Sequence, residues 1–403
     1  MKNFTGFLIR QQRLQRGLSQ EALCRGICAV SYLSKIEQGV GNPSPVILEK
    51  LLNKLEINYH QDPEQLEKAS RMLIRFFDKY FHSETAEEET AYLRLHQQQI
   101  ENSELHLSWH LFNLYMLIQK YGKTAPVCHQ ELSYLSRFQD HLEKETLFLY
   151  YVGAGLLESE DQLEMLRLAE TIRPTAFVKQ SIAEVWYTRH EYMRAIEAAD
   201  RAYAAACEEG SLPTLLWSSY LLGACYANFN DLSFMLRYYK RAMELARGYD
   251  PAILSLIRYN IGSTYMEHGS YAEAISYFKD SLANEEDSPA EQKLLAEQKL
   301  SLCLFECAQK EEGLTFLQRA VKRQSDKMPP LFTTLLYFTS LRYVDEDRSS
   351  YSYENSLKKL YAEGEEILGE GYRRLLAEFL IELYSSQRRY KEALALKAEH
   401  RYE

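Results

Sequence analysis

The chain has 403 residues, 46% of them apolar, with a formal net charge of −10 at pH 7 and seven cysteines. That length and apolar content exclude a disordered chain and allow two or three domains around sizeable cores. Met1–Arg10 carries no apolar run of signal-peptide length, so the cytoplasm is expected, and the odd cysteine count is no disulfide framework.

The charge is unevenly placed. Residues 1–60 hold eight Lys/Arg against four acids, so this segment is +4 and the remainder −14. A basic module on an acidic body points to phosphate binding by the first part. From Phe4 to Arg16, Phe4, Phe7, Leu8 and Leu14 recur near helical spacing, and Gly17 ends the helix. Ser19 is a good N-cap for a second helix, Gln20 to about Arg25, with Ala22 and Leu23 inward. A third helix runs from about Ala29 to Gln38 and stops at Gly39, with Leu33 and Ile36 buried and Ser31, Tyr32 and Lys35 on the opposite face. Asn42-Pro43-Ser44-Pro45 breaks the chain, and Pro45 opens a fourth helix through Leu52. Short helices with a sharp turn between the second and third follow the helix-turn-helix plan.

Leu18-Ser19-Gln20-Glu21-Ala22-Leu23, then Ser31 to Gly39, then Pro43-Ser44 resemble the Xre-type helix-turn-helix of lambdoid phage repressors. The match spans about 55 residues. It departs in the turn, where Gly26-Ile27-Cys28-Ala29-Val30 replaces the usual link. Helix three laid in the major groove offers Ser31, Tyr32 and Lys35 to base edges or phosphates, with Lys35 the best candidate for guanine. Ser19 and Gln20 sit where a second helix presents its N-terminus to a phosphate, and Asn42 is a further DNA-contact candidate. The resemblance also implies an ion pair between Arg13 and Glu37 that braces helix one against helix three.

Asp62-Pro63-Glu64 begins a linker helix to Phe81, and an acidic stretch follows at Ser83–Thr90. Beyond it, helical patterns alternate with short polar breaks and no strand is expected. Gly210–Asn230 is uncharged but contains Pro213, Ser218, Ser219, Asn228 and Asn230, which favours a buried helical hairpin over a membrane span. Cys24/Cys28 and Cys303/Cys307, each four apart without a second pair at zinc spacing, are expected as free core thiols.

Self-comparison supplies the body plan. Ile261-Gly262, Tyr265, Ala274 and Phe278 fit the tetratricopeptide pattern. Its offsets recur at Leu222-Gly223, Tyr226, Met235, Tyr239, at Ile182-Ala183, Trp186, Ala195, Ala199, and at Ile381, Tyr384, Ala393, with a weaker copy at Ser301, Leu304, Gly313, Leu317. Residues 91–170 and 325–370 look helical but fit poorly. The expected fold is all-α: a helix-turn-helix domain (1–62), a linker helix (63–82) and a tetratricopeptide-like right-handed helical solenoid (83–403). The concave face should carry Tyr187, Trp217, Tyr220, Asn228, Tyr259, Ser263, Met266 and Glu267, with Asn260 at its edge. Rings with isolated amides suit an extended peptide. The candidate peptide-binding residues are Tyr187, Tyr220, Asn228, Tyr259, Asn260 and Ser263.

An Xre-type module followed by such repeats is similar to the peptide-pheromone-responsive regulators of Gram-positive bacteria, the Rgg, PlcR and PrgX group. That resemblance implies a homodimer on a palindromic operator in double-stranded DNA, gated by a signalling oligopeptide. The alternative is a regulator whose repeats bind a protein or only dimerise. No Walker-type loop, Gly-x-Ser-x-Gly or His-Glu-x-x-His occurs, so no enzyme, cofactor or metal is expected.

Overall fold

The computed structural model describes residues 4–41, 43–56, 62–229, 231–247, 251–283 and 289–399. Among the described residues the secondary structure is helical throughout, without a strand. The first four helices are α1 (Phe4–Gln15), α2 (Gln20–Cys24), α3 (Val30–Glu37) and α4 (Pro45–Lys54), within a residue or two of their expected bounds. Gly17 and Gly39 end α1 and α3 at φ of +64° and +72°, a backbone region that favours glycine. Ser19 accepts from Ala22 N at 3.0 Å and caps α2. Ile9, Leu23, Cys24, Leu33, Ile36, Leu51, Leu52 and Leu55 form the core of this head.

Two expectations about α1 fail. Leu14 is 58% exposed, and Phe7 joins no part of the head core. Gly6 carries a packing role instead. A Cβ there would lie 1.8 Å from the Ile36 carbonyl oxygen, so only glycine lets α1 approach the end of α3 this closely.

The chain divides into two compact units, 1–189 with 201–214, and 190–200 with 215–403. After the head, the first unit contains α5 (Pro63–Phe81), α6 (Glu87–Leu95), α7 (Gln97–Glu101), α8 (His106–Tyr121), α9 (Pro126–Ser136), α10 (Lys144–Leu156), α11 (Gln162–Ile172) and α12 (Ala176–Thr188). Asp62 Oδ1 accepts from Glu64 N and Gln65 N and caps α5, the expected linker helix. Its aromatic face docks on α8, with Phe76 against Phe112 at 4.7 Å and Tyr80 against Tyr115 at 4.7 Å. Tyr115 is fully buried and donates to the Leu149 carbonyl at 2.9 Å, which fastens α10 to the same cluster. The weakly patterned stretch 91–170 therefore folds as helical hairpins. A Cβ on Gly155 would lie 2.5 Å from the Leu166 side chain, so α10 and α11 pack closely at this glycine.

Helices α13 (Tyr192–Glu209) and α14 (Leu212–Asn228) lead into α15 (Leu232–Ala246), α16 (Pro251–Glu267), α17 (Tyr271–Leu282), α18 (Ala290–Glu306), α19 (Lys310–Arg323), α20 (Pro330–Tyr343), α21 (Tyr351–Glu363), α22 (Glu365–Leu368), α23 (Glu370–Ser386) and α24 (Tyr390–Glu399). The repeat register explains the hairpins here. A Cβ on Gly223 would meet the Tyr239 ring at 2.5 Å, and one on Gly262 the Phe278 ring at 3.1 Å. The small residue thus seats the aromatic sixteen positions later, and Tyr226 and Tyr265 stack on Tyr238 and Tyr277. The described part of the uncharged stretch, 210–229, holds one helix, α14, not a whole hairpin, and Asn230 lies outside the described residues. Among the described residues no helix is long and apolar enough to cross a membrane.

Candidate nucleic-acid interface and ligand face

Arg13 and Glu37 organise the head. Both side chains are buried, and the guanidinium Nε and Nη2 donate to the two carboxylate oxygens at 2.6 and 2.9 Å. Arg13 Nη1 also donates to the Leu18 carbonyl at 2.8 Å, closing the α1–α2 turn. The hydrogen bond to Glu37 raises the guanidinium above its ordinary pKa. A bidentate pair of this kind fixes orientation as well as distance.

With α3 braced at its C-terminal end, its outer face carries the candidate contacts. Ser31 and Lys35 are exposed. Tyr32 is half-buried and packs on the head core, which makes its ring partly structural. Ser19 is exposed at the N-terminus of α2, its oxygen already accepting from the backbone and its proton left to donate. Gln20 differs from expectation. Its amide nitrogen donates to Glu37 Oε2 at 2.8 Å, which commits one of its two N–H groups to the brace. Asn42 lies outside the described residues.

The candidate ligand residues fall in both units, with Tyr187 in the first and the others in the second. Asn260 Nδ2 donates to Tyr220 Oη at 3.0 Å, tying α16 to α14. Asn228 Nδ2 donates to the Ala224 carbonyl of its own helix at 2.9 Å. Tyr187 and Tyr220 are half-buried, Tyr220 beside Trp217 and Tyr239, while Trp217 is 37% exposed.

Ser263 and Met266 do not line an open face. Both are buried, because α18 and α23 pack against α16. Lys299 of α18, itself buried, donates to Ser263 Oγ at 3.0 Å and lies over the rings of Tyr259 and Tyr372 at 4.8 and 5.2 Å. Beside it, Gln298 Nε2 donates to Thr339 Oγ1 and to Tyr372 Oη, each at 3.0 Å. Tyr259 and Ser263 therefore belong to a buried polar cluster that the repeat pattern alone did not disclose.

Residues 9–60 match the helix-turn-helix family HTH_3. An HTH_3 domain stands at the N-terminus. The chain is also similar to the transcriptional activator NprA of Geobacillus stearothermophilus, at 26% identity over 359 residues, covering 83% of this chain and 86% of that protein. Among solved structures, it is similar in fold to the apo form of the quorum sensor NprR from B. thuringiensis. That pair shares 18% identity at a TM-score of 0.61, covering 83% of this chain and 96% of that one. The structure of NprR with its cognate peptide NprX matches at 17% identity and a TM-score of 0.53, covering 80% of this chain and 97% of that one. These likenesses show an all-helical, tetratricopeptide-like fold behind the head.

The HTH_3 domain is seated on the body as well as tethered to it. Phe7 of α1 meets the ring of Phe138 edge-on at 4.7 Å and that of His141 at 5.0 Å, just beyond α9. The Tyr134 ring lies tilted against Phe138 at 5.1 Å, and its hydroxyl bonds His106 Nε2 at 2.7 Å. His110, its ring 4.5 Å from that of His106, bonds Glu131 at 2.6 Å through Nδ1. Sequence reasoning passed over Phe7 because it falls on the apolar stripe of α1 and reads as core.

Proposed function

We propose that the protein is a cytoplasmic, sequence-specific DNA-binding transcriptional regulator whose repeat body receives a signalling oligopeptide. The observation that carries this reading is a helix-turn-helix head with a braced recognition helix, Ser31 and Lys35 exposed on it, ahead of a body similar to a transcriptional activator over most of both chains. In this reading Ser19, Ser31 and Lys35 contact operator DNA, with Gln20, Tyr32 and Asn42 in support. Two heads of a homodimer reach successive major grooves of a palindromic site about 34 Å apart.

The likeness to NprR with its peptide supports an oligopeptide as ligand. The rings and amides proposed to meet it are those of Tyr220, Asn228, Tyr259 and Asn260 in the second unit. The burial of Ser263 and Met266 favours a second reading, in which the repeats serve a protein partner or dimerisation. The test is titration of operator DNA by fluorescence, with mass spectrometry of small peptides that co-purify with the chain. Lys35→Ala is expected to weaken operator binding by roughly 1–3 kcal/mol and to leave the fold intact. Unchanged affinity refutes the role of Lys35, and a protein partner in place of a peptide selects the second reading.

A further inference from the structure

The start of α3 breaks two local rules at once. Its N-cap is Ala29, which makes no side-chain capping bond, although Ser, Thr, Asp or Asn there typically stabilises a helix by about 1 kcal/mol. The next residue, Val30, is β-branched and apolar and is 43% exposed, while the head core is built from Leu33 and Ile36 further along the helix. Neither residue caps the helix with its side chain or enters the head core. Paired violations of this kind are expected where a surface is shaped for a partner.

On the helix, Val30 lies one turn before Ser34 and beside Ser31, at the border of the exposed face that also holds Lys35. It therefore stands at the end of the recognition helix that enters the major groove first. Base edges there present hydrogen-bonding groups and one apolar group, the C5-methyl of thymine. An exposed valine offers no hydrogen bond and matches only that methyl.

We propose that Val30 is a base-reading residue that selects thymine by packing on its C5-methyl. The inference rests on the DNA-binding reading above and adds to it a specificity at one base pair. The test uses the full chain to select duplexes from a random pool. The enriched half-site is then synthesised with each thymine replaced in turn by deoxyuridine, which removes one methyl and changes no base-edge hydrogen bond.

One thymine is expected at which deoxyuridine weakens binding about fourfold, the worth of one buried methyl-sized group. At that position Val30→Ala should bind the two duplexes equally, and at every other position it should match the unaltered protein. Because Val30 lies outside the head core, the variant should fold normally. An enriched site at which no deoxyuridine matters, or at which Val30→Ala keeps the discrimination, overturns the inference alone. A change only in oligomeric state assigns Val30 to a protein contact and overturns it equally. Failure to enrich any duplex refutes DNA binding itself, together with this inference.

Discussion

The Arg13–Glu37 pair lends itself to a graded test. Both side chains are nearly inaccessible, at 9% and 2%, and the carboxylate also accepts from Gln20 at 2.8 Å. Arg13→Met leaves Glu37 buried with one hydrogen bond, and Glu37→Leu leaves a buried guanidinium held only by the Leu18 carbonyl. Stranding one charge of a buried pair costs about 3–5 kcal/mol. A core as small as that of the head supplies rarely more than about 3–5 kcal/mol, so either single change should unfold it. The double variant Arg13→Met/Glu37→Leu strands no charge and should cost far less than either single change. Hydrogen exchange read by mass spectrometry on the full chain reports α1 and α3 separately from the body. Protection there should drop at least about 100-fold in each single variant, the equivalent of some 3 kcal/mol, and return substantially in the double. Single variants that lose less than about fivefold would refute the brace, and a double as unstable as the singles would refute the stranded-charge account.

Three further outcomes follow from particular contacts. Gly6→Ala should destabilise the head by at least about 1–3 kcal/mol, read as lost protection in α1, since the new Cβ would meet backbone at Ile36. Asn260→Ala and Tyr220→Phe should each lower stability by about 1 kcal/mol and the double by little more, measured as denaturant midpoints; loss of peptide affinity without loss of stability would return Asn260 to the ligand face. Burial, with the charge of His110, lowers His106 to about 4, against about 6.5 for an exposed histidine. The unfolded chain takes up that proton and the folded chain does not, so stability is complete above about pH 6.5 and falls towards pH 4, by up to roughly 3 kcal/mol. His106→Asn should flatten that part of the urea-midpoint profile, and an unchanged slope would refute it.

What could be read from the chain and what could not divides by the range of the interaction. Ser19, Gly17 and Gly39 act on backbone within a few residues, so type and spacing sufficed to place three helix ends. The repeat offsets worked for the same reason, because Gly223 and Tyr239, or Gly262 and Phe278, meet inside one hairpin. Arg13 and Glu37 were legible only through family resemblance. Gly6 and Phe7 were not legible, since their meaning depends on Ile36 and Phe138, which no helical period connects to α1. The packing of α23 on α16 joins segments about a hundred residues apart, and it turned an expected open face at Ser263 into a buried one. Asn260 reads as a ligand amide from its type and register, and its hydrogen bond to Tyr220, forty residues earlier, is not legible there.

The buried cluster also constrains how a ligand acts. A peptide shifts an equilibrium only by its differential affinity for the two states. Parting α23 from α16 and α18 removes Tyr372 from Gln298 and lifts its ring from Lys299, while the Lys299–Ser263 bond, which joins α18 to α16, stays made. Leaving a buried polar partner of that pair unsatisfied costs about 1–3 kcal/mol, and the lysine ammonium loses the ring that covers it, so a ligand there must supply its own polar groups. A carboxylate set on Lys299 would meet that demand, whereas an apolar side chain would not. Binding beside the exposed Trp217 and the half-buried Tyr220 disturbs none of these contacts, but for that reason it also leaves α23 in place. A ligand confined to that edge gains affinity without moving the cluster. One that rearranges it spends part of its affinity on the change, so a peptide that switches the protein through this cluster needs an anionic group that reaches Lys299.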